Sequence, residues 1–126
     1  MARVLVIMPL SADDQSEAKR IALIDALGDD VILPKVAANN DVAQVFNISE
    51  TIHQLKDVDL VIADLSFERP SCYYELGMVQ AMCVQSFLIA QHGTRLHQHF
   101  GAVTFYKDIE SFRRIIKAAI AEHLSK

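Results

Sequence analysis

The chain has 126 residues, of which 52% are hydrophobic and 22% charged, so it has enough apolar surface for one core and is too short for two. Its formal net charge is −4 and its basic residues form no block, which argues against binding of duplex DNA or RNA. No signal peptide is visible and no apolar stretch approaches the roughly 20 residues that span a bilayer, so we expect one cytoplasmic domain over residues 1–126 without membrane association.

Strands and helices alternate along the first half of the chain. The apolar residues 4–8 predict a strand buried on both faces. Residues 11–28 predict a helix that begins at a cap on Ser11 and turns a stripe of apolar side chains inward: Ala18, Ile21, Ala22, Leu23 and Leu27. Residues 31–33 predict a short second strand, and residues 41–56 a second helix with Asp41 as its N-cap.

The second half continues this alternation. Residues 60–63 predict a third buried strand, with Asp64 at its carboxyl end. After a loop over residues 65–70, Ser71 is the expected N-cap of a helix that reaches about residue 84. Its inward side chains are expected to be Leu76, Val79 and Met82 or Cys83. The last elements predicted are strands over residues 87–90 and 102–106 and a helix that Asp108 opens.

This order of elements predicts a three-layer α/β domain. Strands that alternate with helices favour a doubly wound, parallel, five-stranded sheet in flavodoxin-like order, with right-handed crossovers. Ligands of such sheets bind beyond the carboxyl ends of the strands, where the strand order reverses. The crevice is therefore expected between the first and third strands. The segments delivered there are Asp64 through Ser71 and the residues Met8, Pro9, Leu10 and Ser11.

Two carboxylates belong to this region. Asp64 ends an apolar strand, so its carboxylate is expected at the rim, where it can accept hydrogen bonds from a sugar's hydroxyls, although such an Asp equally caps the next loop. Glu75 is expected in the first helical turn, where the helix dipole favours the ionised form. An ionised, fixed carboxylate can act as a nucleophile or stabilise an oxocarbenium-like centre. First-turn glutamates also occur for helix stability alone, and both interpretations stay open.

The loop and the helix start offer donors for an anion. Backbone amides around Ser71 and Cys72 form a natural phosphate site. Arg69 is a further candidate donor, although a solvated loop arginine is the commoner case. Ser66 and Ser71 carry the same ambiguity as Asp64, since each binds a ligand or caps a turn.

Two further features concern the residues around Glu75. At most one of the adjacent Tyr73 and Tyr74 shares a helix face with Glu75, to bond the carboxylate or stack on a base, and the other packs or contacts a subunit. Gly77 costs about 1 kcal/mol relative to Ala inside a helix, which a close approach by a strand or ligand would explain.

Metal, dinucleotide and disulfide chemistry are not predicted. His92, His97 and His99 share a loop but match no standard zinc pattern. No Gly-rich motif follows the first strand, which argues against a Rossmann site or a P-loop. Cys72 and Cys83 would lie ~16 Å apart on one helix, too far to bridge, and are expected to be buried as core packing.

The segment 64–77, Asp-Leu-Ser-Phe-Glu-Arg-Pro-Ser-Cys-Tyr-Tyr-Glu-Leu-Gly, resembles the signature of the nucleoside 2-deoxyribosyltransferase-like family, with its nucleotide N-hydrolase branch and the related TIR-like proteins. Residues 4–9 are similar to that superfamily's first strand and loop. The resemblance implies a flavodoxin-like domain that cleaves or exchanges the N-glycosidic bond of a nucleoside, nucleotide or NAD-like substrate without metal or organic cofactor. It also implies that Glu75 attacks the anomeric carbon, that Asp64 contacts the sugar and that residues 66–71 hold a 5′-phosphate.

The sequence departs from the family in two places. Met-Pro-Leu-Ser at residues 8–11 stands where the transferases commonly carry a Gly-containing turn, and Arg69 and Pro70 replace small residues, which puts the chain nearer the TIR-like branch. Because the chain is short for the family, the resemblance implies a homodimer or higher homo-oligomer. Two alternatives stay open: a non-catalytic nucleotide-binding or sensory module, and an interaction domain whose third helix mediates assembly, with Asp64 and Glu75 only as caps.

Overall fold

Our computed structural model describes residues 3–9, 14–32, 48–96 and 101–124. Within these ranges, five parallel strands form one sheet in the order β2-β1-β3-β4-β5. The strands are β1 (Val4–Ile7), β2 (Val31–Ile32), β3 (Leu60–Asp64), β4 (Ser86–Gln91) and β5 (Val103–Tyr106). The helices are α1 (Ser16–Leu27), α2 (Ile48–Leu55), α3 (Pro70–Ala81) and α4 (Ile109–Leu124). This arrangement confirms the predicted flavodoxin-like α/β fold.

The central strand β3 pairs with β1 and β4 and leads to the edge of the sheet where the site was expected. All five of its residues are buried, as its continuous apolar sequence predicts for a strand covered on both faces. Its pairing sets Ala63 beside Ile7 of β1 and Asp64 beside Ile89 of β4. The carboxyl ends of β1, β3 and β4 therefore meet at one edge, which is where strand order reverses around β1 and β3.

Side chains alternate between two apolar layers on opposite faces of the sheet. One layer, between the sheet and helices α1 and α4, consists of Val4, Val6, Met8, Ala22, Leu23, Leu60, Ile62, Ile89, Tyr106, Phe112 and Ile116. The other, against α2 and α3, consists of Leu5, Ile7, Leu55, Val61, Ala63, Leu65, Cys72, Leu76, Val79 and Leu88. Because strand side chains alternate with a period of two, Asp64 follows Ile62 onto the α1/α4 face.

Helix α1 buries the predicted face only in part. It begins at Ser16, and Gln15 at its N-cap makes no side-chain capping bond, while Ser11 lies outside the described residues. Ile21, expected to face inward, is exposed, whereas Lys19 is buried together with Ala22 and Leu23. The inward positions of Ala22 and Leu23 are confirmed, whereas that of Ile21 was wrong, and Lys19 takes an inward position because its charge has a buried partner.

Helix α3 begins two residues earlier and ends three residues earlier than expected. Pro70 is its first residue, because the fixed φ and the missing N–H of proline suit that position, and Arg69 is the N-cap in place of Ser71. Cys83 therefore follows the helix, exposed and with a φ of 58°, so its predicted burial was wrong, whereas Cys72 is buried. Gly77 is exposed, and an added Cβ would meet nothing within 4 Å, so no described strand approaches it as expected.

The last helix is capped as the sequence predicted. The Ser111 N–H donates to Asp108 Oδ1 at 2.8 Å, and the Asp108 N–H donates to Ser111 Oγ at 3.0 Å, a reciprocal capping box. The bonds from Ser111 to its carboxylate lower the pKa of Asp108. The predicted start of the second helix falls in residues 33–47, outside the described part of the chain. None of the described helices is both long enough and apolar enough to cross a membrane.

The neighbouring residues Leu23 and Ile24 test which face of α1 is inward. Leu23 is 0% exposed and Ile24 is 47% exposed. We expect Leu23→Ala to lower the free energy of unfolding by about 2–5 kcal/mol, because it opens a cavity in the core. Ile24→Ala should change it by less than about 0.5 kcal/mol. Urea unfolding of both variants measures the difference, and equal losses would contradict the assigned face.

Candidate functional site

The carboxylate of Asp64 is buried and engaged by four protein donors. It is 1% exposed at the carboxyl end of β3. Its Oδ2 accepts from Lys19 Nζ at 3.1 Å and from the Tyr106 hydroxyl at 2.7 Å. Its Oδ1 accepts from the Ser66 backbone N–H at 3.1 Å and from the Ser66 hydroxyl at 2.6 Å. A carboxylate has about four acceptor positions, so these donors fill them.

The structure contradicts the expectation that Asp64 presents its carboxylate at the rim to a sugar. Strand alternation turns the side chain to the α1/α4 face, where Lys19 is 0% exposed and pairs with it. Ser66 is also buried, and its two bonds to Asp64 form the loop cap that was the alternative interpretation of both residues. As the structure stands, neither residue offers a free group to a ligand.

The Ser66 hydroxyl joins the ends of three strands. It accepts from the Gln91 N–H of β4 at 2.8 Å and lies 3.1 Å from the Tyr106 hydroxyl of β5. Each hydroxyl carries one proton, and with both protons donated to Asp64 the contact between the two oxygens adds no further hydrogen bond. The network thus ties β3, β4 and β5 to α1 at the edge where the site was expected.

Lys19 and Tyr106 were not among the residues identified from the sequence. The Nζ of Lys19 lies 4.9 Å from the Tyr106 ring centroid and 5.9 Å from that of Phe112, within cation–π range. One signal was available. Lys19 stands at the i−3 and i−4 positions from the inward Ala22 and Leu23, and a lysine on such a stripe requires a buried acidic partner.

The turn after Asp64 is strained. Ser66–Glu68 forms one turn of 3-10 helix in which Phe67 has a φ of 64° and Glu68 a φ of 46°. Residues other than glycine rarely adopt these backbone angles, so the surrounding contacts must enforce them. Ser66 is held by Asp64 at one end, and at the other the Tyr73 hydroxyl donates to Glu68 Oε1 at 2.9 Å. Tyr73 therefore supports the turn, in addition to being a candidate ligand group.

Glu75 lies in an environment opposite to that of Asp64. Because α3 begins at Pro70, Glu75 is in the second turn of the helix and not in the first, where the dipole would favour its charge. Glu75 is half-buried, and this burial raises the pKa of its carboxyl. Among the described residues, no hydrogen bond or ion pair is made to it. The expectation of a dipole-stabilised carboxylate was wrong, and the carboxylate is desolvated.

The thiol of Cys72 lies near both carboxylates. Burial, and next the charges of Glu75 and Asp64, raise its pKa to about 12. Cys72 is therefore a neutral thiol at physiological pH and a poor nucleophile. Both charges act on this thiol although β3 and α3 present the two carboxylates from different sides.

The start of α3 offers fewer free amides than predicted. Pro70 has no N–H, and the Cys72 and Tyr73 N–H groups donate to the Arg69 carbonyl at 3.0 and 3.3 Å. The side chains of Arg69 and Ser71 are exposed. An anion would therefore be held by these two side chains more than by a nest of backbone amides.

The remaining predicted site residues divide into core and surface. Met8 and Pro9 are buried, and Met8 packs in the α1/α4 layer, so it is a core residue and does not line the crevice as expected. Leu10 and Ser11 lie outside the described residues. Tyr74 is 55% exposed on α3, next to Glu75. Among the described residues, the accessible candidates are thus the exposed Arg69, Ser71 and Tyr74 and the half-buried Tyr73 and Glu75.

Comparison of the sequence with protein-family models and with curated proteins gives no match. Among solved structures, the chain is similar to a 2-desoxiribosyltransferase from Leishmania mexicana, with a TM-score of 0.58 and 18% sequence identity. The alignment covers 98% of this chain and 99% of that one. The two proteins share the flavodoxin-like fold over their whole length. Across the described ranges, no group of three or more His, Cys, Asp or Glu side chains is placed to hold a metal ion.

We expect Glu75→Gln to stabilise the protein at neutral pH. Burial raises the pKa of Glu75 in the folded state above its value in the unfolded state. At neutral pH the carboxyl is therefore harder to ionise in the folded protein than in the unfolded chain, and this difference lowers the free energy of unfolding. Stability from this group is therefore present at low pH and is lost as the pH rises through the folded-state pKa. Melting temperatures at about pH 7.5 and pH 4.5 test this sign.

The variant should melt above the wild type at the higher pH, and the difference should shrink at the lower pH. The matched control is Glu122→Gln on the exposed surface of α4, which should change the melting temperature little at either pH. A Glu75→Gln variant that is less stable than the wild type at pH 7.5 would show that the carboxylate is compensated in the folded protein.

Proposed function

We propose that this protein cleaves or transfers the N-glycosidic bond of a nucleoside, nucleotide or NAD-like molecule, with Glu75 as the nucleophile. The observation that carries the proposal is the half-buried carboxylate of Glu75, whose pKa is raised by loss of solvent and which no described residue pairs. A desolvated carboxylate on a rigid helix near the carboxyl edge of a parallel sheet fits the nucleophile of a retaining glycosidic reaction.

Two further observations support this chemistry. The segment 64–77 resembles the signature of the nucleoside 2-deoxyribosyltransferase-like family. The fold is similar over its whole length to a protein named as a 2-desoxiribosyltransferase. A shared fold alone leaves function open, so the proposal depends on the position and environment of Glu75.

The proposed reaction proceeds in two displacements. A Glu75 oxygen attacks the anomeric carbon as the bond from that carbon to the base nitrogen breaks, and the base leaves with the bonding electrons. A purine or pyrimidine gains a proton from solvent, whereas a pyridinium base of an NAD-like substrate leaves neutral. Water or a second base then attacks the same carbon and loses a proton to solvent, as the bond from that carbon to the Glu75 oxygen breaks and frees the carboxylate. Water gives a hydrolase and a second base gives a transferase.

The other predicted residues take different parts in this proposal. Arg69 and Ser71, exposed at the turn and the helix start, would contact a 5′-phosphate, and the exposed ring of Tyr74 would stack on the base. Asp64 would hold the turn in place and would not bind the substrate, since all its hydrogen-bond acceptor sites are filled. The protein would function as a homo-oligomer, as the family resemblance implies.

A non-catalytic nucleotide-binding module is the second candidate. It is favoured by the engagement of Asp64 with Lys19, Ser66 and Tyr106, which leaves one unpaired carboxylate where two were expected to face the sugar. Calorimetry separates the two functions: heat of binding without base release over long incubation would favour the module.

Base release from deoxynucleotides, ribonucleotides and NAD, measured by chromatography, tests the catalytic proposal. We expect Glu75→Gln and Glu75→Ala to lower the rate by more than about 10³-fold, because the nucleophile is lost. Mass spectrometry of the wild type during turnover should detect a glycosyl group on a peptide containing Glu75. Addition of a second free base distinguishes transfer from hydrolysis.

The control is Glu122→Ala, which removes an exposed carboxylate of α4 and should retain the wild-type rate. Base release that persists in both Glu75 variants would remove this residue from the chemistry. If none of the substrates raises the melting temperature or yields free base, the interaction-domain interpretation gains support, since a ligand that binds only the folded state must stabilise it.

A further inference from the structure

The buried ion pair of Lys19 and Asp64 has no explanation in stability. Lys19 is 0% exposed, and its neighbours on the inward face of α1 are apolar. Desolvation of both ions offsets most of their attraction, and replacement of such pairs by apolar residues is often neutral or stabilising. The pair therefore points to a requirement other than cohesion of the core.

The hydrogen bonds of the Asp64 carboxylate to the turn after β3 indicate what this requirement is. Asp64 Oδ1 accepts two donors from Ser66, the first residue of the turn Ser66–Glu68. Both Ser66 donors can reach Oδ1 only while the carboxylate keeps one orientation, and Lys19 and the Tyr106 hydroxyl hold its other oxygen, Oδ2. Lys19 thus helps to orient the carboxylate whose Oδ1 fixes Ser66.

The turn transmits this constraint to α3. Phe67 and Glu68 adopt positive φ angles, and Tyr73 of α3 holds Glu68 from the other side. The next residue, Arg69, supplies the carbonyl that accepts the first hydrogen bonds of α3. A continuous set of contacts thus leads from the Lys19 ammonium to the start of the helix that carries Glu75.

We propose that Lys19 is a positioning residue: through Asp64 and Ser66 it fixes the strained turn, and the turn fixes the start of α3 and so the alignment of Glu75 with the sugar. The inference rests on the proposed glycosidic function. It assigns no contact between Lys19 and the substrate. A reacting group displaced by about 1 Å can lose about 10²-fold in rate, so a distant positioning residue has a measurable effect.

The experiment compares Lys19→Met with the double variant Lys19→Met/Asp64→Asn. The single variant leaves a buried carboxylate uncompensated and should lower the melting temperature strongly. The double variant buries no charge and is close to the wild type in shape, so it should recover most of that loss. It nevertheless cannot restore the contacts at Oδ2, because an amide nitrogen donates where the carboxylate accepted from Lys19 and Tyr106, and the side chain is no longer held in its orientation.

We expect the double variant to release base with a kcat about 10- to 100-fold below the wild type and a KM within about threefold, at a temperature well below both melting points. Lys117→Met, on the exposed surface of α4, is the matched control and should keep both constants. A purely structural role of the pair predicts the opposite: activity would return together with the melting temperature, and that result would overturn the proposal.

Tyr73→Phe tests the same turn from its other end and decides the question if the double variant does not fold. It removes the hydroxyl that donates to Glu68 and leaves the ion pair intact. We expect it to lower kcat several-fold with little change in melting temperature, and a wild-type kcat would overturn the proposal. Failure of the proposed function is recognised separately, because then the wild type and Glu75→Gln release base equally slowly.

Discussion

The buried ion pair between Lys19 and Asp64 constrains the end of the sheet where the site lies. It joins an inward position of α1 to the last residue of β3, 45 residues later in the chain. Because a carboxylate at this depth requires a cation and hydrogen-bond donors, the hydroxyls of Tyr106 and Ser66 also donate to it. The turn that follows β3, and the start of α3, take their positions from this centre.

The start of α3 in turn decides the electrostatics of Glu75. Had the helix begun after Ser71, as expected, Glu75 would lie within reach of the dipole. With Pro70 as the first residue, the charge is two residues further along and in the second turn, where the dipole effect has fallen off and desolvation dominates. A carboxylate that costs the fold stability when ionised is the kind of group found at functional sites.

Local patterns in the sequence predicted the fold well and the site less well. Continuous apolar runs identified the buried strands, and the Asp108 cap identified the last helix, because both depend on neighbouring residues. The pairing of Lys19 with Asp64 and the burial of Met8 depend on contacts between distant segments. The positive φ angles of Phe67 and Glu68 carry no glycine signal in the sequence, since the surrounding contacts enforce them.

The two carboxylates therefore have separate roles, although sequence reasoning assigned both to one sugar. Asp64 is ordered by four donors and fixes the backbone, whereas Glu75 is desolvated and has no described partner. A nucleophile must exchange its solvent and partners for the substrate, so a saturated carboxylate is poorly suited to attack and well suited to hold a turn. In the proposed glycosidic reaction only Glu75 contacts the reacting carbon, while Asp64 fixes the turn that precedes the helix carrying Glu75.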